Sequence, residues 1–291
     1  MSPLSSRLDA LDQVTYRLDQ TFAYRYDAPI QRLRHRLRVM PPPRHGPTTL
    51  DTSPLTISGA PVRRRRWRDN AGNTVVRLVA DHVEEYLEFA YSATLTRRRD
   101  GASVLLDPQM LGSASWLRAT TLTAPSDPLR VLAAVSPPSG HGPFDRLTGL
   151  ALADALCQVT YDALSYEYGV TGVRTTADQA VTLGRGVCQD SAHIMLALCR
   201  IRGLPARYVS GHLVGQGGTH AWVEVLVPSA DGRAAEAVGY DPCNGRRTGA
   251  GHVTVATGRD YRDVPPTSGT YVGTATGSLT TTRDLVVLDA A

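Results

Sequence analysis

One helical segment, spanning 188–202, limits the folds open to this chain more than any other feature. A glycine-bearing loop (Gly184-Arg185-Gly186) leads into it, and Gly203 with Pro205 beyond supplies the expected stop. Strand-like segments follow at 206–214, 221–227, 234–240, 252–256 and 285–288. A helix followed by several antiparallel strands is an α+β pattern, with the helix expected to pack on a sheet.

The first hundred residues follow a different grammar. Val14, Tyr16 and Leu18 alternate with polar neighbours, as do Leu33, His35, Leu37 and Val39, and Asp69-Asn70-Ala71-Gly72-Asn73 supplies turn residues between two further strands. A small antiparallel β-sandwich is expected over 1–105. Residues 106–143 are rich in Pro and Ser and read as a linker with a short helix at 128–135. Helical spacing returns at 144–161 through Leu147, Leu150, Leu152 and Leu156, opening a second unit expected over 144–291.

With 291 residues, 42% of them hydrophobic, the chain can bury a substantial core. All 31 cationic side chains are arginine, and 27 acidic ones nearly balance them. The densest runs, Arg63 to Arg66 with Arg68, and Arg97 to Arg99, lack interleaved aromatics, so they read as solvated strand ends and imply no nucleic-acid partner. No segment reaches the roughly 18 apolar residues needed to span a bilayer, and the first 19 residues lack the apolar core of a secretory signal. Cysteines 157, 188, 199 and 243 form no CxxC pair, which fits free thiols in a cytoplasmic protein. Cys188, His193 and Cys199 are spaced by five and six, around a helix rather than along one face, so no metal is expected.

Cys188 stands where the glycine loop enters the helix. Free N–H groups and the positive end of the macrodipole favour thiolate over thiol there, and the same N–H groups can receive an oxyanion. Cys157 and Cys199 lie within apolar helical patterns and read as small buried hydrophobes. Cys243 follows Pro242 in a turn that could lie near the site. His220 opens a strand after Gly217-Gly218, and Asp241 ends the next. A hairpin turn centred between Ala230 and Asp231 puts His220 directly opposite Asp241, within reach of a carboxylate–imidazole hydrogen bond. His193, five residues past Cys188, is expected in the core; Asp190 is expected to cap the helix. His212 and Gln189 have no assigned role.

These residues also carry a family resemblance. The segment from Gly186 to His193 (GVCQDSAH) resembles the nucleophile motif of bacterial transglutaminase-like proteins, and Gly203-Leu204-Pro205-Ala206-Arg207-Tyr208 is similar to the segment that follows it. Thr219-His220-Ala221-Trp222, Tyr240-Asp241-Pro242 and the stretch from Gly258 to Pro266 match further motifs. Tyr26-Asp27-Ala28-Pro29 and Asp69-Asn70-Ala71-Gly72-Asn73 look like the β-rich region often joined to such cores. Two positions depart: Ala237-Val238-Gly239 stand where a bulky aromatic is expected, and Cys243 where a Thr follows Asp-Pro.

The resemblance implies a papain-like α+β core with Cys188 as nucleophile, His220 as base and acid and Asp241 as orienting group. It also implies acyl transfer through a thioester and no cofactor. The expected activity is cleavage of a peptide or amide bond in a peptide, protein or small-molecule acyl donor. Transfer to an amine acceptor, as in a transglutaminase or amide-forming acyltransferase, is the alternative, and a non-catalytic binding module the second. No membrane partner is expected.

Overall fold

The computed structural model describes residues 7–134 and 147–291. Its first part contributes β1 (Gln13–Tyr26), β2 (Ile30–Met40), β3 (Arg44–His45), β4 (Thr48–Thr52), β5 (Leu55–Ser58), β6 (Arg63–Arg68), β7 (Thr74–Val83), β8 (Tyr86–Arg98) and β9 (Val104–Leu106). Helices α1 (Ala114–Leu117), α2 (Asp127–Ala134) and α3 (Gly149–Ala163) come next. The short strand β10 (Ser165–Tyr166), helix α4 (Ala177–Leu183), strand β11 (Arg185–Gly186) and helix α5 (Cys188–Ile201) follow. The chain closes with β12 (Ala206–Leu213), β13 (His220–Pro228), β14 (Ala235–Asp241), β15 (Arg246–Arg247), β16 (His252–Gly258), β17 (Thr267–Val272) and β18 (Gly277–Ala290).

Alternation drives the first two sheets. Leu33, His35 and Leu37 turn inward from β2 while Arg34 and Arg36 stay in solvent, because successive side chains leave a strand on opposite faces. The sheets run β18-β1-β8-β4-β3, with β5 also on β8, and β17-β2-β7-β6. Leu18, Phe22, Leu37, Leu78 and Phe89 are at most 1% exposed between them, and each such side chain contributes about 2 kcal/mol of hydrophobic stabilisation. The arginines of β6 lie exposed on an edge strand, where charge discourages edge-to-edge pairing.

The third sheet runs β15-β14-β13-β12-β16, with β9 also on β14. All eight residues of β12, and the first eight of β13, are buried. Apolar side chains of α5 and of Ala221, Val223 and Val225 share one core cluster. The α+β class and β-rich first part agree with expectation.

The sheets do not follow the segment limits read from the sequence. Strand β17 pairs with β2, and β18 pairs with β1 from Val14↔Ala290 to Tyr26↔Gly277, so 267–290 return to the first two sheets instead of completing the unit expected at 144–291. Strand β9, close to the expected limit at 105, crosses the other way and joins β14. The short helix expected at 128–135 is α2, with residue 135 outside the described residues; the start of helical spacing at 144–146 also lies outside them.

Candidate active site

Local chemistry sets Cys188 at the first position of α5. Gly184 adopts a left-handed φ of 66° and closes α4 by donating its N–H to Ala180 O at 3.0 Å. Val187 is extended, and its N–H donates to Asp190 Oδ2 at 2.8 Å, while Thr171 Oγ1 donates to the same oxygen at 2.6 Å. Asp190 is therefore a capping residue, as expected, buried at the helix N-terminus where a carboxylate is favoured. Burial still raises its pKa, against the hydrogen bonds. At the far end Gly203 has φ 69° and Leu204 N–H closes on Cys199 O at 2.8 Å, the stop anticipated from Gly203 and Pro205.

His220 opens β13 and is 3% exposed. Its Nε2 donates to Asp241 Oδ2 at 2.8 Å, and the ring also feels the Cys188 thiol close by. With Nε2 committed to the carboxylate, Nδ1 is the nitrogen available to the thiol. Burial opposes a charge on His220, but Asp241 and Cys188 together carry its pKa up to about 10. Burial likewise disfavours the Asp241 anion, yet hydrogen bonds from His220 and His252 hold its carboxyl well below the usual range.

The ladder reaches this contact by another register than the one expected. Ser229 N–H donates to Ala234 O at 2.9 Å, and Val223 pairs with Tyr240, so the turn lies one residue later. Continued by one pair, that register sets Trp222, not His220, opposite Asp241. His220 is then the diagonal neighbour on the same face, because the displacement of two in pairing preserves side-chain parity.

The remaining candidates separate clearly. His193 is fully buried, accepts from Tyr261 N–H at 3.3 Å, and is driven by burial to a pKa of about 3, the core histidine expected. His212 donates through Nδ1 to Gly218 O at 2.9 Å, and burial lowers its pKa to about 4. Gln189 Nε2 donates to Gly172 O at 3.2 Å. Cys243 does lie at the site: it senses the charge of Cys188 and interacts with Ser191, while burial pushes its pKa up to about 12. Burial also pushes Cys199 up to about 12 and raises Cys157. Tyr166, 65% exposed, senses the charge of Cys188 from β10.

Two partners of Asp241 were not legible in the sequence. Asn244 Nδ2 donates to Asp241 Oδ2 at 2.7 Å, and His252 Nε2 does so at 3.0 Å. Asn244 sits in a Pro-Cys-Asn-Gly turn, a faint signal; His252 is brought in by the pairing of β16 with β12. Among the described residues, His220, Asp241 and His252 hold three metal-capable atoms within 4.8 Å of one another. Gly249 N–H donates to His252 Nδ1 at 3.1 Å, which leaves the ring proton on Nε2, and Asn244 directs a second proton at the same carboxylate oxygen. A metal needs bare lone pairs, so the donor set fits a hydrogen-bonded carboxylate.

Comparison with known proteins agrees with this architecture. Uncharacterized proteins of Mycobacterium tuberculosis and Mycobacterium leprae are 38% identical over 120 residues, a match covering 38% of this chain and 38% and 40% of theirs. The chain thus spans about two fifths of the length of the curated relatives it matches. The crystal structure of a candidate cysteine protease from Cytophaga hutchinsonii has a TM-score of 0.66 at 21% identity, covering 95% of this chain and 91% of that one, which shows a common fold. Residues 16–96 match the bacterial transglutaminase-like N-terminal region, and residues 145–234 match the core of the transglutaminase-like superfamily. Together the two matches span more than half of the chain, which belongs to the transglutaminase-like superfamily, with the bacterial N-terminal region ahead of its core.

Proposed function

We propose that the protein is a cysteine-dependent acyl-transfer enzyme that cleaves a peptide or amide bond through a thioester on Cys188. The observation that carries this is the position of Cys188 at the start of α5 beside an imidazole that Asp241 holds at 2.8 Å. Cys188 Sγ, as thiolate, attacks the carbonyl carbon and forms the C–S bond while the C=O electrons move to oxygen. N–H groups of the first helical turn are placed to receive that oxyanion. Collapse breaks the C–N bond, and the His220 imidazolium gives its proton to the leaving amine. Water then adds to the thioester as His220 takes its proton, and the acid leaves as the thiolate and imidazolium are restored. Asp241 stays ionised throughout and keeps the ring in one tautomer.

Cys188 is only half-buried, which leaves a thioester there open to water and supports hydrolysis as the second step. The test is intact mass after mixing with activated acyl esters, in wild type and Cys188→Ala, with and without a primary amine. A mass gain confined to wild type, followed by release of free acid, supports hydrolysis; an amide product transfers the assignment to an acyltransferase. No acylation of wild type by any donor would exclude both.

A further inference from the structure

Asp241 is gripped by more than the residue it orients. Its Oδ2 accepts from His220, His252 and Asn244 at 2.8, 3.0 and 2.7 Å, while Oδ1 has no hydrogen-bond partner among the described residues. Asn244 shares the turn that follows Asp241, its N–H donating to Asp241 O at 3.1 Å, so it moves with the residue it contacts. His252 comes from β16 and ties the carboxylate to a separate strand.

The His252 ring is a one-way donor. Gly249 N–H occupies Nδ1, so the neutral ring carries its proton on Nε2, aimed at Asp241. The side chain is 3% exposed and packs edge-on against Trp222 at 5.3 Å between centroids. Asp241, His220 and Arg246 are the charged groups whose fields it senses. A charged His252 would compete with the His220 imidazolium for the carboxylate; a neutral one orients the carboxylate without that competition.

We propose that His252 is a positioning residue of this site: its Nε2–H keeps Asp241 Oδ2 on the line to His220, and so keeps His220 Nδ1 turned to Cys188. The proposal rests on the cysteine-dependent reading given above. Three donors, from β13, from the turn after β14 and from β16, over-determine a carboxylate that one hydrogen bond would leave free to rotate.

The experiment is iodoacetamide labelling of Cys188 against pH in the full chain, read by peptide mass spectrometry together with the melting temperature. His252→Leu removes the donor, and His252→Gln keeps an N–H near the position of Nε2. The expected result is about tenfold slower labelling below pH 7 in His252→Leu, the scale of one lost hydrogen bond to a charged group, with most of the rate retained in His252→Gln. If His252→Leu does not fold, His252→Asn, too short to reach Asp241, takes its place with the same expectation. Wild-type rates in every variant overturn the proposal. Equal slowing in all variants in step with a lowered melting temperature also overturns it, since packing alone then explains the residue. The parent reading fails separately, if wild-type Cys188 labels no faster than Cys243.

Discussion

His220 and Asp241 meet side chain to side chain at 2.8 Å although the ladder between their strands ends at Val223↔Tyr240, a register whose next pair is Trp222 with Asp241. The contact is diagonal, and it leaves Trp222 beside the His220 ring at 6.1 Å between centroids. A diagonal pair depends on side-chain orientation more than a directly opposed one does, which makes the carboxylate's fixation consequential.

Asp241→Asn replaces an acceptor by an amide that can donate to His220 Nε2 and impose the wrong tautomer. Turnover is expected to fall on the order of 10³-fold with KM little changed. The pair's stabilisation also has a defined pH window. The His220 contribution is full below 6.5 and is lost as pH rises towards about 10. The Asp241 contribution is full above 3.8 and is lost as pH falls below it. Denaturant titrations should therefore show the largest difference between Asp241→Asn and wild type from about pH 4 to 6.5.

Gly186 admits no side chain. A Cβ there would lie 2.7 Å from Asp190 Oδ2 and 2.9 Å from Asp190 Cβ, displacing the carboxylate that caps Val187. Gly186→Ala should cost about 1–3 kcal/mol in urea unfolding and slow the labelling of Cys188, one residue beyond that cap. Unchanged stability would show that the loop yields without effort.

Glu224 joins the first sheet to the third. Its Oε2 accepts from Arg207 Nε at 2.7 Å and Nη2 at 2.6 Å, and its Oε1 contacts His45 Nε2 at 2.6 Å. Glu224→Gln leaves Arg207, 4% exposed, without its counter-charge, a loss of about 3–5 kcal/mol. Burial alone would raise the Glu224 pKa, but the charges of Arg207 and His45 lower it to about 2. Its contribution is therefore full above 4.5 and is lost as pH falls towards 2. Acid titration of the variant should lack that component.

His35 lies between Tyr24 and Phe89 with neither ring nitrogen hydrogen-bonded among the described residues, and burial lowers its pKa to about 4. The unfolded chain protonates first, so stability falls as pH drops from 6.5 towards 4. His35→Leu removes an unsatisfied polar group and should leave stability at pH 7 equal or up to about 1 kcal/mol higher. Its acid-side slope should also be shallower, as read by unfolding midpoints at pH 7 and 5.

Local signals in the chain mapped onto local structure. Helix α5 was bounded within a residue because Gly203 and the glycine loop act on their own neighbours, and β1 and β2 showed themselves by inward alternation. Strand β18 is legible in the sequence only at 285–288: it is an edge strand with Leu285 its single buried hydrophobic residue, so its full length and its pairing with β1 are a long-range choice. His252 stayed hidden for the same reason, since only the pairing of β16 with β12 brings it to Asp241. The one-residue error in the β13–β14 turn arose because Ser229 and Ala234 close it, a choice that Pro228 to Arg233 does not disclose by composition.

The most direct measurement is the rate of iodoacetamide labelling at each of the four cysteines at pH 6.5, in wild type and His220→Ala. Cys157, Cys199 and Cys243 are held as thiols by burial. The predicted result is that Cys188 labels at least tenfold faster than any of them, the thiolate being the reactive form, and loses that advantage in His220→Ala. Labelling of Cys188 no faster than Cys243 in wild type, or unaltered by His220→Ala, would contradict a thiolate–imidazole pair at this site.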